Sequence, residues 1–215
     1  IYELVDGIIG DNYPHPDRML RHVELVVNDY LIQELCYNEP LEGRFNTFAV
    51  EGATAGMCYI FDSLIANNIL SKGDKIALMS PIFTPYLEIP HLPRYNFEVI
   101  NICADEMDEE GRHTWQYPES EIDKLKDASI KALFVVNPNN PPSVAMRPQS
   151  VRQLKHVVEN FNPDLMIISD DVYSTFVDNF CSIMADLPYN TIGVYSYSKY
   201  FGVTGWRLGT IALYE

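Results

Sequence analysis

Residues 75–80, 131–136 and 165–169 are short runs made mostly of Ile, Leu, Val, Met, Phe and Ala, residues 191–195 (T-I-G-V-Y) are a fourth run without a charged residue, and these four are what most narrows the folds open to this chain. A strand with one wet face alternates apolar and polar residues, whereas a run that is apolar throughout is buried on both faces. Each run stops at Pro, Asn, Asp or Ser, residues that punctuate strands. Residues 97–102 make a further short strand. Between the runs lie stretches with apolar residues three and four apart, the helical period. Strands that alternate with helices give an α/β fold with a mostly parallel sheet, and such sheets bind ligands beyond the carboxyl ends of their strands.

The helical patterns are easily placed. Met19, Leu20, Val23, Val26, Val27, Tyr30, Leu31 and Leu35 predict an amphipathic helix over about 17–36. Met57, Ile60, Phe61, Leu64, Ile65 and Ile69 predict a second, which follows the short apolar approach at 48–50. Residues 149–160 predict a third, and 118–126 a short surface helix. Residues 6–16 and 81–86 read as loops. Residues 105–110, five acids in six positions, read as a solvated loop and not a metal site.

Composition removes several functions. With 215 residues, 47% of them hydrophobic, the chain has enough apolar surface for one large domain. A net charge of -15 argues against nucleic acid or an anionic membrane as partner, because phosphates are repelled. Cys36, Cys58, Cys103 and Cys181 form no Cys-x-x-Cys pair, and the five histidines lack zinc-ligand spacing with them, so no metal is expected and a reducing, cytoplasmic setting is. No run of about 18 apolar residues occurs that would predict a membrane span.

The residues that follow the apolar runs carry the chemistry. After residues 191–195 come Ser196, Ser198, Lys199, Gly202, Gly205, Arg207 and Gly209. Small hydroxyls and glycines let a ligand approach the backbone, and an arginine offers a forked donor for phosphate. Lys199 among them is a candidate Schiff-base nucleophile. Gly52-Ala53-Thr54 at the start of a helix forms a candidate anion site, although a plain helix start is the better reading of that segment alone. Phe83, past the end of a strand, can stack on a planar ring or plug the core. An acid at a strand end in apolar surroundings needs a cation, and Asp170 and Asp171 compete for that place. The sequence Asn137-Pro138-Asn139-Asn140-Pro141-Pro142-Ser143 closes another strand.

The lysine loop resembles the signature of the class I and II aminotransferases, the fold-type-I enzymes that use pyridoxal 5'-phosphate (PLP). That resemblance implies a three-layer α/β/α large domain over residues 1–215, with Lys199 binding the cofactor covalently and serving as the catalytic residue. It implies that Ser196, Arg207, Gly52, Ala53 and Thr54 hold the phosphate and that Phe83 stacks on the pyridine ring. Asp170 pairs with the ring nitrogen by the same pattern, the three-residue step to Tyr173 favouring it over Asp171. Asn140 and Tyr173 bond the phenolic oxygen from opposite sides, although Pro142-Ser143 departs from the usual Asn-Pro-Thr-Gly. Tyr13 is matched to a tyrosine that reaches a partner subunit's cofactor phosphate, and packing in a turn is the competing role.

G-D-N-Y-P-x-P-D-R-M-L-R-H, N-P-x-N-P-P-S-V, D-D-V-Y-x-T-F and Y-S-x-S-K-Y-F-G-x-T-G-W-R-L-G together resemble the aspartate 4-decarboxylases (L-aspartate β-decarboxylases), a bifunctional branch of that family. The resemblance implies conversion of L-aspartate to L-alanine and CO2, with transamination as a side activity. It also implies a homodimer that assembles into a larger homo-oligomer. An ordinary aspartate or aromatic aminotransferase and a non-catalytic PLP-fold module are the alternatives. Because the chain opens on Ile1 and stops just after the lysine loop, it is expected to be a fragment lacking an N-terminal segment and a C-terminal small domain.

Overall fold

The computed structural model of the chain describes residues 19, 21–36 and 43–215. Within them one seven-stranded sheet is built from β1 (Phe45–Val50), β2 (Lys75–Ser80), β3 (Glu98–Cys103), β4 (Ile130–Val136), β5 (Met166–Asp170), β6 (Thr191–Ser196) and β7 (Gly209–Tyr214), in the order β1-β7-β6-β5-β4-β2-β3. Neighbours from β3 to β6 run parallel, while β7 is antiparallel to both β6 and β1. The mixed, mostly parallel α/β sheet read from the apolar runs is therefore present.

Successive residues of a strand point to opposite faces, and here both faces are packed. On one face Ala132, Phe134 and Val136 of β4 and Ile76 and Leu78 of β2 meet Met57, Ile60, Phe61 and Leu64 of α2 (Ala53–Ala66). Phe61 and Phe134 stack there with centroids 4.7 Å apart. On the other face Leu133 and Val135 of β4 and Ala77 and Met79 of β2 meet Leu154, Val157 and Val158 of α5 (Pro148–Asn160). Each such aliphatic side chain, fully buried, contributes about 1.5–3 kcal/mol. This double packing is why those strands read as continuous apolar runs.

A third cluster joins α1 (Arg21–Leu35) to the β1–β7 end of the sheet, where Leu31 and Leu35 pack with Phe45, Tyr195 and Ala212. Periodicity placed Val23 and Val26 on the packed stripe, but both are exposed, Val26 at 68%. The buried side of α1 is the one turned to β1, centred on Leu31 and Leu35. At its end Ser182 N–H donates to Leu35 O and Ser182 caps the short helix α6 (Ile183–Asp186).

Three local expectations need correction. Residues 81–86 are not all loop, because Thr84–Glu88 forms α3, with Pro85 in its first turn, where a proline costs no hydrogen bond. Residues 118–126 divide into α4 (Glu119–Ile122) and a 3₁₀ turn (Asp123–Lys126), and Ile122 and Leu125 are buried by them. Strands β1 and β7 extend well beyond the apolar approach at 48–50 and the glycine-rich tail that the sequence offered.

Candidate active site

Parallel β2, β4, β5 and β6 all end at one edge of the sheet, and antiparallel β7 begins there. A cavity of about 150 Å³ opens at that edge, lined by residues from every one of these junctions. Ala53 and Thr54 come from the start of α2, Phe83 from the turn before α3, and Asn140 from the loop after β4. Asp170 and Tyr173 come from the end of β5, and Ser196, Lys199 and Arg207 from the end of β6 and its loop. The structure thus brings together every residue singled out in the sequence except two. Gly52 stands just behind the wall, and Tyr13 lies outside the described residues.

One end of the cavity is shaped by backbone. Gly52 precedes α2 with φ 86°, and no side chain caps the helix, so the N–H groups of its first turn are left for a ligand. A Cβ on Gly52 would run into the Arg207 guanidinium. Arg207 is held over this turn by Nη1–H donating to Thr204 O at 3.0 Å and Nη2–H donating to Glu51 O at 3.4 Å. A Cβ on Gly209 would lie 3.0 Å from Gly52 C and Tyr195 O and 3.1 Å from Ala53 N, all backbone atoms. Ser196 Oγ accepts from Ser198 N–H at 3.3 Å and keeps its own proton to donate. These groups form a cup for an anion.

The opposite end is acidic. Asp170 is 4% exposed, and among the described residues no cation pairs with it. Burial pushes its carboxyl up to about 6, and hydrogen bonds from Tyr86 and from Val172 N–H pull the other way. Asp171 turns into the core, where Ser169 Oγ and Ser182 Oγ donate to it at 2.9 and 2.6 Å. Burial pushes it up to about 7. Asp170 lines the cavity, and Asp171 does not.

Asn140 Nδ2 donates to Tyr173 Oη at 3.2 Å, so their polar ends meet directly. Phe83 is 39% exposed at the cavity and does not plug the core. Lys199 is exposed, and among the described residues its ammonium has no hydrogen-bond or ion-pair partner. Thr204 Oγ1 donates to Ser198 O at 2.8 Å, which pins the lysine loop across its width.

Sequence reading missed Tyr86, whose hydroxyl donates to Asp170 Oδ2 at 2.5 Å, and Thr204 as a lining residue, and it gave Ser198 no role of its own. A buried tyrosine one turn after Phe83 carries no signal that separates it from core. Ser198 and Thr204 lie inside the lysine loop and could have been found from it.

The model of the family described as aminotransferase class I and II matches residues 51–215, more than half of the chain. The chain belongs to the class I and II aminotransferases. This family uses PLP. Among curated proteins, a bifunctional aspartate aminotransferase and L-aspartate beta-decarboxylase from a Pseudomonas species is 48% identical over all of this chain and 40% of that protein. An aspartate aminotransferase from Pyrococcus horikoshii is 26% identical over 77% of this chain and 40% of its own length. The chain spans about 40% of the length of these curated relatives. Among aminotransferases of known structure, the alanine aminotransferase from Pyrococcus furiosus gives a TM-score of 0.73 at 20% identity, covering 96% of this chain and 49% of that one. The aromatic aminotransferase from P. horikoshii gives 0.72 at 23% identity, covering 99% and 53%. At such identities the likeness is one of fold.

Proposed function

We propose that this chain is the cofactor-binding large domain of a PLP enzyme that removes the β-carboxylate of L-aspartate to give L-alanine and CO2, with aspartate transamination as a side activity. The observation that carries this reading is 48% identity along the whole chain to a relative that bears both activities in its name, against 26% for the aspartate aminotransferase. The residues of the cavity fit the cofactor. A phosphate dianion suits the uncapped start of α2, the Ser196 hydroxyl and the Arg207 guanidinium, and the small volumes of Gly52 and Gly209 leave it room. A protonated ring nitrogen supplies the cation that buried Asp170 lacks.

When bound, PLP supplies an electron sink next to the substrate's Cα, which loss of a β-carboxylate and transfer of an amino group both require. Lys199, at the cavity and free of partners among the described residues, holds the cofactor covalently and, once released, moves the proton at Cα. Asn140 and Tyr173, whose polar ends meet at the cavity, would hold the phenolic oxygen by hydrogen bonds. Phe83 packs on the ring and fixes its plane. Asp170 holds the ring nitrogen in its protonated form. The protein acts as a homodimer that assembles further. No helix among the described residues is long and apolar enough to cross a membrane, and we place the enzyme in the cytoplasm.

The test is to supply the complete protein with PLP and L-aspartate, without any keto acid, and to follow alanine and CO2. Sustained release over many turnovers supports the β-decarboxylase. One turnover that leaves the cofactor in its amine form leaves an aminotransferase instead, and no change in the cofactor's absorption overturns catalysis altogether.

A further inference from the structure

Tyr86 enters none of the roles above, yet it touches the acid at their centre. It belongs to α3, is 2% exposed, and packs its ring 6.3 Å from those of Phe83 and Phe134. Its hydroxyl donates to Asp170 Oδ2 at 2.5 Å, and a hydrogen bond to a carboxylate is stronger than one between neutral groups. Burial first, and then the charge of Asp170, hold the phenol well above its usual pKa, so it stays a donor. The second carboxylate oxygen, Oδ1, accepts from Val172 N–H at 3.1 Å. Asp170 therefore arrives at the cavity with one fixed protein donor on each oxygen. Asp171, its neighbour, is occupied by Ser169 and Ser182.

A carboxylate that faces a ring nitrogen shares one proton with it, and the proton resides on the stronger base. Donors on a carboxylate stabilise its charged form and weaken it as a base. We infer that Tyr86 is a positioning residue that, through its hydroxyl on Asp170 Oδ2, keeps the shared proton on the ring nitrogen of the cofactor. This rests on the PLP reading above. Without that hydroxyl the proton moves toward Asp170, the ring becomes a neutral pyridine, and its capacity to take up electrons falls. The ring of Tyr86 is a core residue in either case, and only the hydroxyl carries the inference.

The complete protein reconstituted with PLP labelled with ¹⁵N in the ring provides the test, because the nitrogen's NMR shift reports its protonation without any turnover. Wild type is expected to show a protonated ring nitrogen. Tyr86→Phe, which keeps the packing on Phe134, is expected to move the shift toward neutral pyridine and to lower kcat about tenfold with KM for aspartate little changed, the size of effect from losing one hydrogen bond to a charged group. Should the phenylalanine variant fold poorly, 4-aminophenylalanine at position 86, a weaker donor of the same shape, is expected to give an intermediate shift. Retained cofactor with the wild-type shift in either variant overturns the role of Tyr86 alone. Failure of the wild type to retain labelled PLP overturns the cofactor reading and this inference with it.

Discussion

Lys199 sits on an exposed loop, yet it is the residue whose replacement should cost most. Its amine has no other partner among the described residues, and it is the one lysine among the residues that line the cavity. Lys199→Ala is expected to lower kcat by roughly 10²–10⁴ or more, the contribution of a positioned acid–base group before any loss of the covalent link is counted. Borohydride reduction followed by peptide mass spectrometry should attach the cofactor to the Lys199 peptide in wild type and to nothing in the variant. Lys199 was legible because few contexts other than a cofactor site set Ser, Ser, Lys and three glycines around an arginine. The three-residue step to Tyr173 picked Asp170 over Asp171, but that Asp171 turns inward to Ser182 shows only in the packing. Tyr86 could not be read at all, because its value lies in a hydroxyl aimed at a residue 84 positions away.

The start of α2 and the start of β7 form the anion cup only because two glycines let their backbones touch. Gly209→Ala would set a methyl 3.0 Å from Gly52 C and Tyr195 O, and backbone there cannot give way without moving Arg207. Equilibrium dialysis should show PLP binding weakened by roughly tenfold or more, with a stability cost of about 1–3 kcal/mol from overpacking. Unchanged affinity would mean that phosphate is held elsewhere. The interior strands β2, β4, β5 and β6 were legible because burial on both faces leaves an apolar run. Strand β7 was not, because Gly209 at its head extends the glycine pattern of the loop before it. Helix α3 was hidden by Pro81 before it and Pro85 in its first turn, which together read as loop.

Across the whole molecule the two buried acids give stability a pH dependence opposite to that of the surface carboxylates. Asp170 and Asp171 are raised to about 6 and about 7 by burial, so between the unfolded value near 4 and those values the native state binds more protons than the unfolded state. Stability of the cofactor-free protein should therefore fall as pH rises across that window, by on the order of a few kcal/mol, and level off above it. Asp108, Glu121, Asp123 and Asp127 are lowered, chiefly by hydrogen bonds to Arg112, Cys103 N–H, Lys126 and Ser129 working against any desolvation, and they act below about 4 in the other sense. Urea denaturation at about pH 5 and about pH 7.5 checks this, and Asp171→Asn should remove the larger part of the slope. A flat profile in wild type would show that the acids ionise freely in the fold.

Strand β1 has one neighbour in the sheet, β7, and the two lie at opposite ends of the described chain. On a ribosome adding about 5–20 residues per second, β1 waits roughly 10–30 s for its partner to be made. During that interval its ladder is open and α2 has no floor at that end. Among the described elements the cup at the start of α2 is thus the last to take shape, because its wall is incomplete until β7 has emerged and paired with β1.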